Sequence, residues 1–549
     1  MGKSRLTRWI DAGIFCCIAG ILFLVPLAVW TGASLPFELP KIFVFRALLY
    51  LSFIMVVLKF LFGGGLQIPS VIRNRWFLLS LCVLILVFSI SALGADSFWM
   101  SLLGSSHRHQ GLWSYLHYFL FFIVLCVGLN KEAMRKVFVF GFLSFFIVIV
   151  YAVMQKMGIY LLGLNVDEFL GRVFSTLGHP SFLGSYIVLM FFPVLALVNK
   201  KRWSFVLGAI MIVLALVGVY FSGSRASIVG LIAGLVVFVY SLRNQIPGKK
   251  YTVSAIAVAI LWVSLFGRFS LDEENLRSVK TRMIMWPQVI EMVQDSPYFG
   301  YGPDTFPVAF APYMSRDLLE VEKFNFIPDR AHNIVLQMFS DFGFLGGLVI
   351  FFIFAFWWGL AYLNLKKSVI GKSFLVSLFA IFVSHFFGFS TTAHLVLITF
   401  FCAFLVKEAS GKEVVFKISS GFVSRGLILA FVFALIGTFF VPNILLSSSY
   451  SDNEGFAHLL SAREYAHYSN FDLAEKEFEE ATRLMPLYPP VYFHKGHFYY
   501  ENSLYDEAEK VLEYYVSLAP EDFGLEKYDK INDDYKTALE WLEKIRKNR

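Results

Sequence analysis

Long apolar runs separated by short polar breaks fill the first 446 residues of this chain. A bilayer core takes roughly 20 apolar residues per helix. Runs of that kind begin near Ile10, Ile42, Trp76, Trp113, Val137, Phe182, Trp203, Ser227, Tyr251, Phe344, Ser373, Leu395 and Gly426. They predict an all-α, polytopic membrane protein of about thirteen spans, of which Leu395 to Val406 is short. The pattern divides the chain into an N-terminal membrane region over 1–267, a long polar loop over 268–331, a second membrane region over 332–446, and a region of soluble composition over 447–549.

The last region repeats itself. Phe471, Ala474, Glu475 and Pro486 recur as Tyr505, Ala508, Glu509 and Pro520, each 34 residues on. That period is the tetratricopeptide one, with a small Ala where paired helices approach and a Pro that ends the second helix of each unit. Two units and a charged terminal helix make a minimal array, although a generic helical bundle fits the same spacing. The region carries no chemistry of its own and reads as a docking surface or a support for a substrate chain.

Composition agrees with a membrane protein: 57% of the 549 residues are hydrophobic and only 16% are charged, more apolar surface than a soluble domain can bury. The net charge of +7 is no nucleic-acid signal, because the basic residues sit in short loops where they orient helices. Lys3, Arg5 and Arg8 precede the first span and place it with a cytoplasmic start, and every second loop thereafter is basic. The alternate loops, the long loop and the C-terminal region then face outward, away from the cytoplasm. The N-terminus has signal-peptide character without a convincing cleavage site, so an uncleaved first helix is expected. The five cysteines lie in or beside spans without ligand spacing and read as packing residues.

Six cationic residues oppose the charge bias. Arg108, Arg172, Arg225, Arg282, Arg330 and His332 fall in loops on the outward side. Such a cluster suits an anionic ligand borne by the membrane, and a lipid diphosphate fits guanidinium geometry. Solvation, lipid phosphate contact and interfacial snorkelling are the plainer readings for an outward Arg. His385 and His394 read as packing histidines before cavity-facing ones, and Asp304 more simply as a turn residue beside Gly302-Pro303 than as an aid to acceptor binding. If Asp329 caps a helix starting at Arg330, His332 falls in its first turn, where the dipole disfavours imidazolium. The chain has no GxxxxGK[ST], no HExxH and no Cys/His cluster, so neither ATP hydrolysis nor a zinc site is expected. No DxD-like metal–nucleotide site stands out. The aromatic share of 18% reflects lipid contact, and outward Trp99, Trp113, Tyr298, Tyr301 and Phe306 are candidates for stacking on sugar rings.

Several segments occur in a telling order. They are Gly104-Ser105-Ser106-His107-Arg108-His109-Gln110-Gly111, Arg172 to Pro180, Gly223-Ser224-Arg225-Ala226, Arg282 to Trp286, Gly300 to Phe306, and Arg330-Ala331-His332-Asn333 followed by Gly343 and Gly346. Together they resemble the O-antigen ligase superfamily, which holds O-antigen ligases, O-antigen polymerases and bacterial O-oligosaccharyltransferases. The resemblance implies a glycosyltransferase without metal or other cofactor. Such an enzyme moves a glycan from a polyprenyl diphosphate carrier to an acceptor hydroxyl on lipid, glycan or protein, at the outer membrane face. It implies catalytic roles for Arg225 and Arg282 at the diphosphate and for His332 at the acceptor, with Arg108, Arg172 and Arg330 as further substrate contacts. Membrane lipids are expected partners, and a protein partner is expected at the repeats. A transporter of lipid-linked glycans and a non-catalytic scaffold stay open beside the enzyme.

Overall fold

The computed structural model describes residues 5–33, 35–62, 66–105, 108–163, 166, 169, 171–197, 202–242, 273–321, 328–365, 368–410, 413–416, 454–467, 470–486, 488–518 and 532–547. The chain is mostly helical. In order come α1 (Arg5–Leu27), α2 (Glu38–Phe62), α3 (Arg75–Leu93), α4 (Phe98–Leu103), α5 (Leu112–Gly128), α6 (Lys131–Lys156), α7 (Pro180–Leu197), α8 (Arg202–Ser222) and α9 (Arg225–Leu242). Then follow α10 (Glu273–Asp295), α11 (Phe306–Ala309), α12 (Arg316–Val321), α13 (Ile334–Asn364), α14 (Val369–Ser384) and α15 (Thr392–Ala409). The C-terminal helices are α16 (Glu454–His467), α17 (Phe471–Leu484), α18 (Pro489–Glu501), α19 (Tyr505–Ser517) and α20 (Asn532–Lys547).

Among the described residues, seven helices are long and apolar enough to cross a membrane: α1, α2, α3, α6, α13, α14 with the turn that follows it, and α15. Four shorter apolar helices correspond to α5, α7, α8 and α9. Eleven of the thirteen expected runs therefore lie in apolar helices, and those near Tyr251 and Gly426 lie outside the described residues. This is a multi-pass membrane protein. One element was not foreseen: Leu66–Pro69 pairs antiparallel with Glu413–Phe416, Leu66 opposite Phe416. Four-residue strands in polar linkers leave no readable periodicity.

The chain forms two compact units. The first comprises Met1–Leu86, Ser114–Phe269 and Val349–Val441. Its core is aromatic and aliphatic, with Phe45, Phe121, Phe138, Phe145, Phe192 and Phe374 among its fully buried side chains. Helix α1 packs on α2 and α6, while α14 packs on α7 and α9. Glycines set the closest approach: a Cβ at Gly230 would lie 2.7 Å from the Ala380 carbonyl oxygen, and one at Gly234 would lie 2.3 Å from the Phe192 ring. Small residues at such crossings bring membrane helices into dense contact. Loops that the charge pattern assigns to one side also meet: Glu408 pairs with Lys131 at 3.1 Å and with Arg135 at 3.0 Å.

The second unit comprises Val87–Trp113, Ser270–Leu348 and Pro442–Arg549. Helix α10 is amphipathic and lays Met285, Val289 and Met292 against Phe306, Phe310, Met314, Leu318 and Ala331. Within this unit α13 breaks at Gly343, whose φ of 69° and ψ of 171° are not helical. The segment Pro297–Gly302 fills the break. Tyr301 and Gly302 donate their N–H groups to the carbonyls of Ser340 and Asp341, both at 3.0 Å, and Leu345 and Gly346 donate to Pro297 and Tyr298 at 3.1 and 3.2 Å. The inserted chain thus satisfies backbone groups that a broken helix exposes. Backbone runs so close that a Cβ at Gly300 or Gly343 would lie within 2.6 Å of main-chain atoms.

The C-terminal part holds two helical hairpins, α16 with α17 and α18 with α19, followed by α20. The 34-residue offset relates their second helices: Ala474 and Ala508 are both fully buried. A Cβ at Gly496 would lie 2.5 Å from Leu512, so the second hairpin closes on a glycine.

Candidate active site

The expected site residues fall into two groups, one in each unit. Arg108, Arg282, Arg330 and His332 come together in the second unit, around the turn that leads into α13. That turn is pinned residue by residue. Asp329 accepts from Arg108, whose Nε and Nη2 lie 2.6 and 2.5 Å from one carboxylate oxygen. Arg330 is 2% exposed and its guanidinium pairs with Asp304 and donates to the Gln110 side-chain oxygen at 3.1 Å. Ala331 donates its N–H to Gln337 at 2.9 Å and accepts at its carbonyl from the Trp286 indole at 3.0 Å. Asn333 accepts from the N–H groups of Val335 and Leu336 at 2.9 and 3.2 Å.

His332 stands amid these ties with φ at 50°, in the left-handed region. For a residue with a Cβ this conformation costs about 1–2 kcal/mol, and ties worth about 1 kcal/mol each hold it there. The helix therefore starts at Ile334, not at Arg330. Asn333 is its cap, and Asp329 serves Arg108 instead. The expected placement of His332 in a first helical turn is corrected: its own left-handed φ precludes helical continuation from Arg330.

His332 is nonetheless pushed down to about 4, first by burial and then by the guanidinium groups of Arg282, Arg108 and Arg330, against the opposing pull of Asp329. It is a neutral imidazole at neutral pH. Burial alone would raise Asp329, but Arg108, His332 and Arg330 hold it below the usual carboxylate range. Arg282 reaches this group because it lies one turn before Trp286 on α10, whose indole is bonded to Ala331. Its Nη1 donates back to the Ser278 carbonyl at 2.8 Å and hydroxyl at 2.5 Å, which fixes the direction of the guanidinium.

The carboxylate of Asp304 was read as a turn residue, and the structure gives it more to do. It is 1% exposed and accepts from the Ser105 N–H at 2.6 Å, the Ser105 hydroxyl at 3.1 Å, the Gln110 N–H at 2.8 Å and Arg330. Breaking one side of such a buried pair costs about 3–5 kcal/mol. The sequence reading named the segments Gly104–Gly111 and Gly300–Phe306 but did not foresee that Ser105 and Gln110 meet Asp304. Their signal was the pairing of two glycine-flanked polar segments, each weak alone.

In the first unit Arg172 reaches the turn that precedes Arg225. Arg172 donates from Nε to the Ser222 carbonyl at 2.9 Å, and a Cβ on Gly223 would lie 3.2 Å from that nitrogen. Gly223, at φ 61°, turns the chain so that α9 begins at Arg225. Arg225 thus sits at a helix start, where exposed N–H groups and the dipole favour anions. In the same unit His394 closes a capping box with Thr391 and bonds the Phe182 carbonyl at 3.0 Å, so it is spent on packing. Lys41, an unconsidered cation, is 1% exposed and donates to the carbonyls of Ala28, Phe37 and Thr176 at 2.8, 3.0 and 2.7 Å. His107 lies outside the described residues. Among the described residues no group of three or more His, Cys, Asp or Glu is placed to hold a metal ion.

No curated protein matches the chain. A family model described as O-antigen ligase matches residues 210–353, a stretch that holds Arg225, Arg282, Asp304, Asp329, Arg330 and His332. Through that stretch the chain is similar to O-antigen ligases, which supports the O-antigen ligase superfamily and a membrane glycan-processing function.

Proposed function

We propose that the protein is a metal-independent glycosyltransferase that moves a glycan from a polyprenyl diphosphate to an acceptor hydroxyl at the outer face of the bacterial cytoplasmic membrane. The observation that carries this reading is His332: a neutral imidazole, held in a strained turn beside Arg282, inside the matched stretch. The acceptor oxygen bonds to the anomeric carbon as the bond from that carbon to the diphosphate oxygen breaks. The electron pair leaves on the diphosphate, and the acceptor proton passes to His332. Arg282, aimed by Ser278, meets the charge that develops on the leaving group. Arg225 keeps the role that the resemblance gives it, contact with the diphosphate, and Arg172 is its neighbour. Arg108 and Arg330 act in this reading through carboxylates and support the turn. The two hairpins of the C-terminal part, 34 residues apart, support a tetratricopeptide array that docks a protein partner or acceptor. Ligation to a lipid, polymerisation and transfer to protein differ only in the acceptor.

The test uses membranes with equal amounts of the wild type or His332→Ala, supplied with the polyprenyl diphosphate-linked glycan pool and envelope extract of the native host. Mass spectrometry follows donor loss and product mass. Turnover by the wild type alone is the expected result, and the product identifies the acceptor. Equal turnover by both removes His332 as the base, and turnover by neither moves the reading to transport or assembly.

A further inference from the structure

The loop from Gly104 to Gly111 belongs to the same unit as the His332 turn but is more than two hundred residues away in sequence. It is tightly closed: Ser105 accepts at its carbonyl from the His109 N–H at 2.8 Å, and a Cβ on Gly111 would lie 2.4 Å from the Gly104 nitrogen. From this loop two side chains reach adjacent residues of the turn, Arg108 to Asp329 and Gln110 to Arg330. Asp304 lies between. One carboxylate oxygen collects the Ser105 and Gln110 N–H groups and the Ser105 hydroxyl, and the other takes Arg330. Asp304 itself is held left-handed, with φ at 67°, and His109 likewise at 52°. Three strained non-glycine residues therefore stand in three segments that grip one another, and strain of that kind persists only where surroundings over-determine it.

We infer that Asp304 is a positioning residue for His332, acting through Arg330, and that Ser105, Arg108 and Gln110 close the clamp. The inference rests on His332 as the base of the proposed transfer. Asp304 touches no reacting atom. It holds the guanidinium of Arg330, two residues ahead of His332, while Ala331 and Asn333 are fixed by Trp286, Gln337 and the helix start. The imidazole then has one direction relative to the acceptor.

The experiment takes the purified full-length protein in lipid nanodiscs with the host's lipid-linked glycan pool as donor and its envelope lipids or proteins as acceptor. It compares the wild type with Asp304→Asn, Gln110→Ala and His332→Ala. Asp304→Asn leaves the shape and removes the charge that holds Arg330. Its kcat is expected to fall about 10- to 100-fold, as a misplacement on the ångström scale does, with the donor KM unchanged. The rate at which diethyl pyrocarbonate modifies His332, read by peptide mass spectrometry, is expected to change with it. Gln110→Ala keeps the ion pair and is expected to show a smaller loss of kcat in the same direction. A wild-type kcat in Asp304→Asn, with His332→Ala inactive, overturns the inference and leaves the transferase reading standing. Activity in His332→Ala overturns that reading and the inference with it. A loss of turnover that matches the loss of folded protein, with kcat per folded molecule unchanged, assigns Asp304 to stability alone and also overturns the inference. Should Asp304→Asn not fold, Gln110→Ala decides, and an unchanged kcat there overturns the proposal.

Discussion

Two turns in this molecule are built alike and used differently. In the first unit Ser175 is left-handed, with φ at 53°; in the second His332 is, with φ at 50°. Each turn is pinned from both sides by side chains distant in sequence. Around Ser175 the Gln155 side chain accepts from the N–H groups of Phe174 and Ser175, Thr176 donates to the Pro26 carbonyl, and Lys41 donates to the Thr176 carbonyl. Around His332 the pins are Arg108, Asp304, Gln110, Trp286 and Gln337. The difference lies in the strained residue. Ser175 is fully buried and its hydroxyl donates to the Val148 carbonyl at 2.6 Å, so side chain and backbone both serve the scaffold. His332 is half-buried, and burial, with the guanidinium groups around its ring, keeps it unprotonated. Strain and pinning mark a turn that must be held; where the side chain goes tells whether it is held for architecture or for chemistry.

The comparison is broken most directly at the strained residues. His332→Ala should reduce transfer by about 10²–10⁴-fold, the worth of a general base, with the melting temperature in detergent unchanged. A large fall in melting temperature would make its turn architectural like the other. Arg282→Lys comes next. It keeps the charge but loses the planar fork, and removal of one transition-state donor costs about 10²–10³ in kcat; steady-state kinetics with unchanged expression tests this. Ser175→Ala should do the opposite of both. It should lower stability by about 1 kcal/mol, one hydrogen bond, while transfer per folded molecule stays at the wild-type rate, as thermal denaturation and kinetics on the same sample would show.

The subtlest contrast is in pH. With its value lowered to about 4, His332 remains the free base well below the 6.5 of an ordinary imidazole. The acid limb of the rate profile should therefore fall below pH 5 and not near 6.5. The sign for stability follows: between 6.5 and 4 the unfolded chain takes up a proton at this position before the folded one does. Acidification across that window costs folded-state stability. Asp329→Asn removes the group that raises His332 and should move the acid limb lower still, whereas Ser175→Ala should leave it in place.

Much of this architecture can be read from the order of residues. Apolar runs locate the membrane helices because a span is a local property, about 20 residues judged on their own composition. The roles proposed for Arg282 and His332 come from short motifs that the sequence shows directly. The clamp was not legible in that way. Asp304 follows Gly302-Pro303 and satisfies every criterion for a turn residue, and nothing local says that Arg330, Ser105 and Gln110 meet there. Charge alternation finds a cation on an unexpected side; it does not say whether that cation faces a ligand, as proposed for Arg282, or a buried carboxylate, as Arg330 does. Asp329 was the expected cap, but the left-handed His332 moves the helix start to Ile334, and Asn333 caps it instead.

The break in α13 bears on how the protein is made. Pro297–Gly302 leaves the ribosome before Ser340–Gly346, so the N–H groups of Tyr301 and Gly302 and the carbonyls of Pro297 and Tyr298 lack these partners until the later segment follows. The loop therefore cannot complete its fold as it is synthesised. It must wait for the helix to enter the bilayer, and insertion of α13 and closure of the inserted segment become one step of biogenesis. A chain truncated before Ser340 would carry every residue of the Asp304 clamp and still lack the scaffold that shapes it.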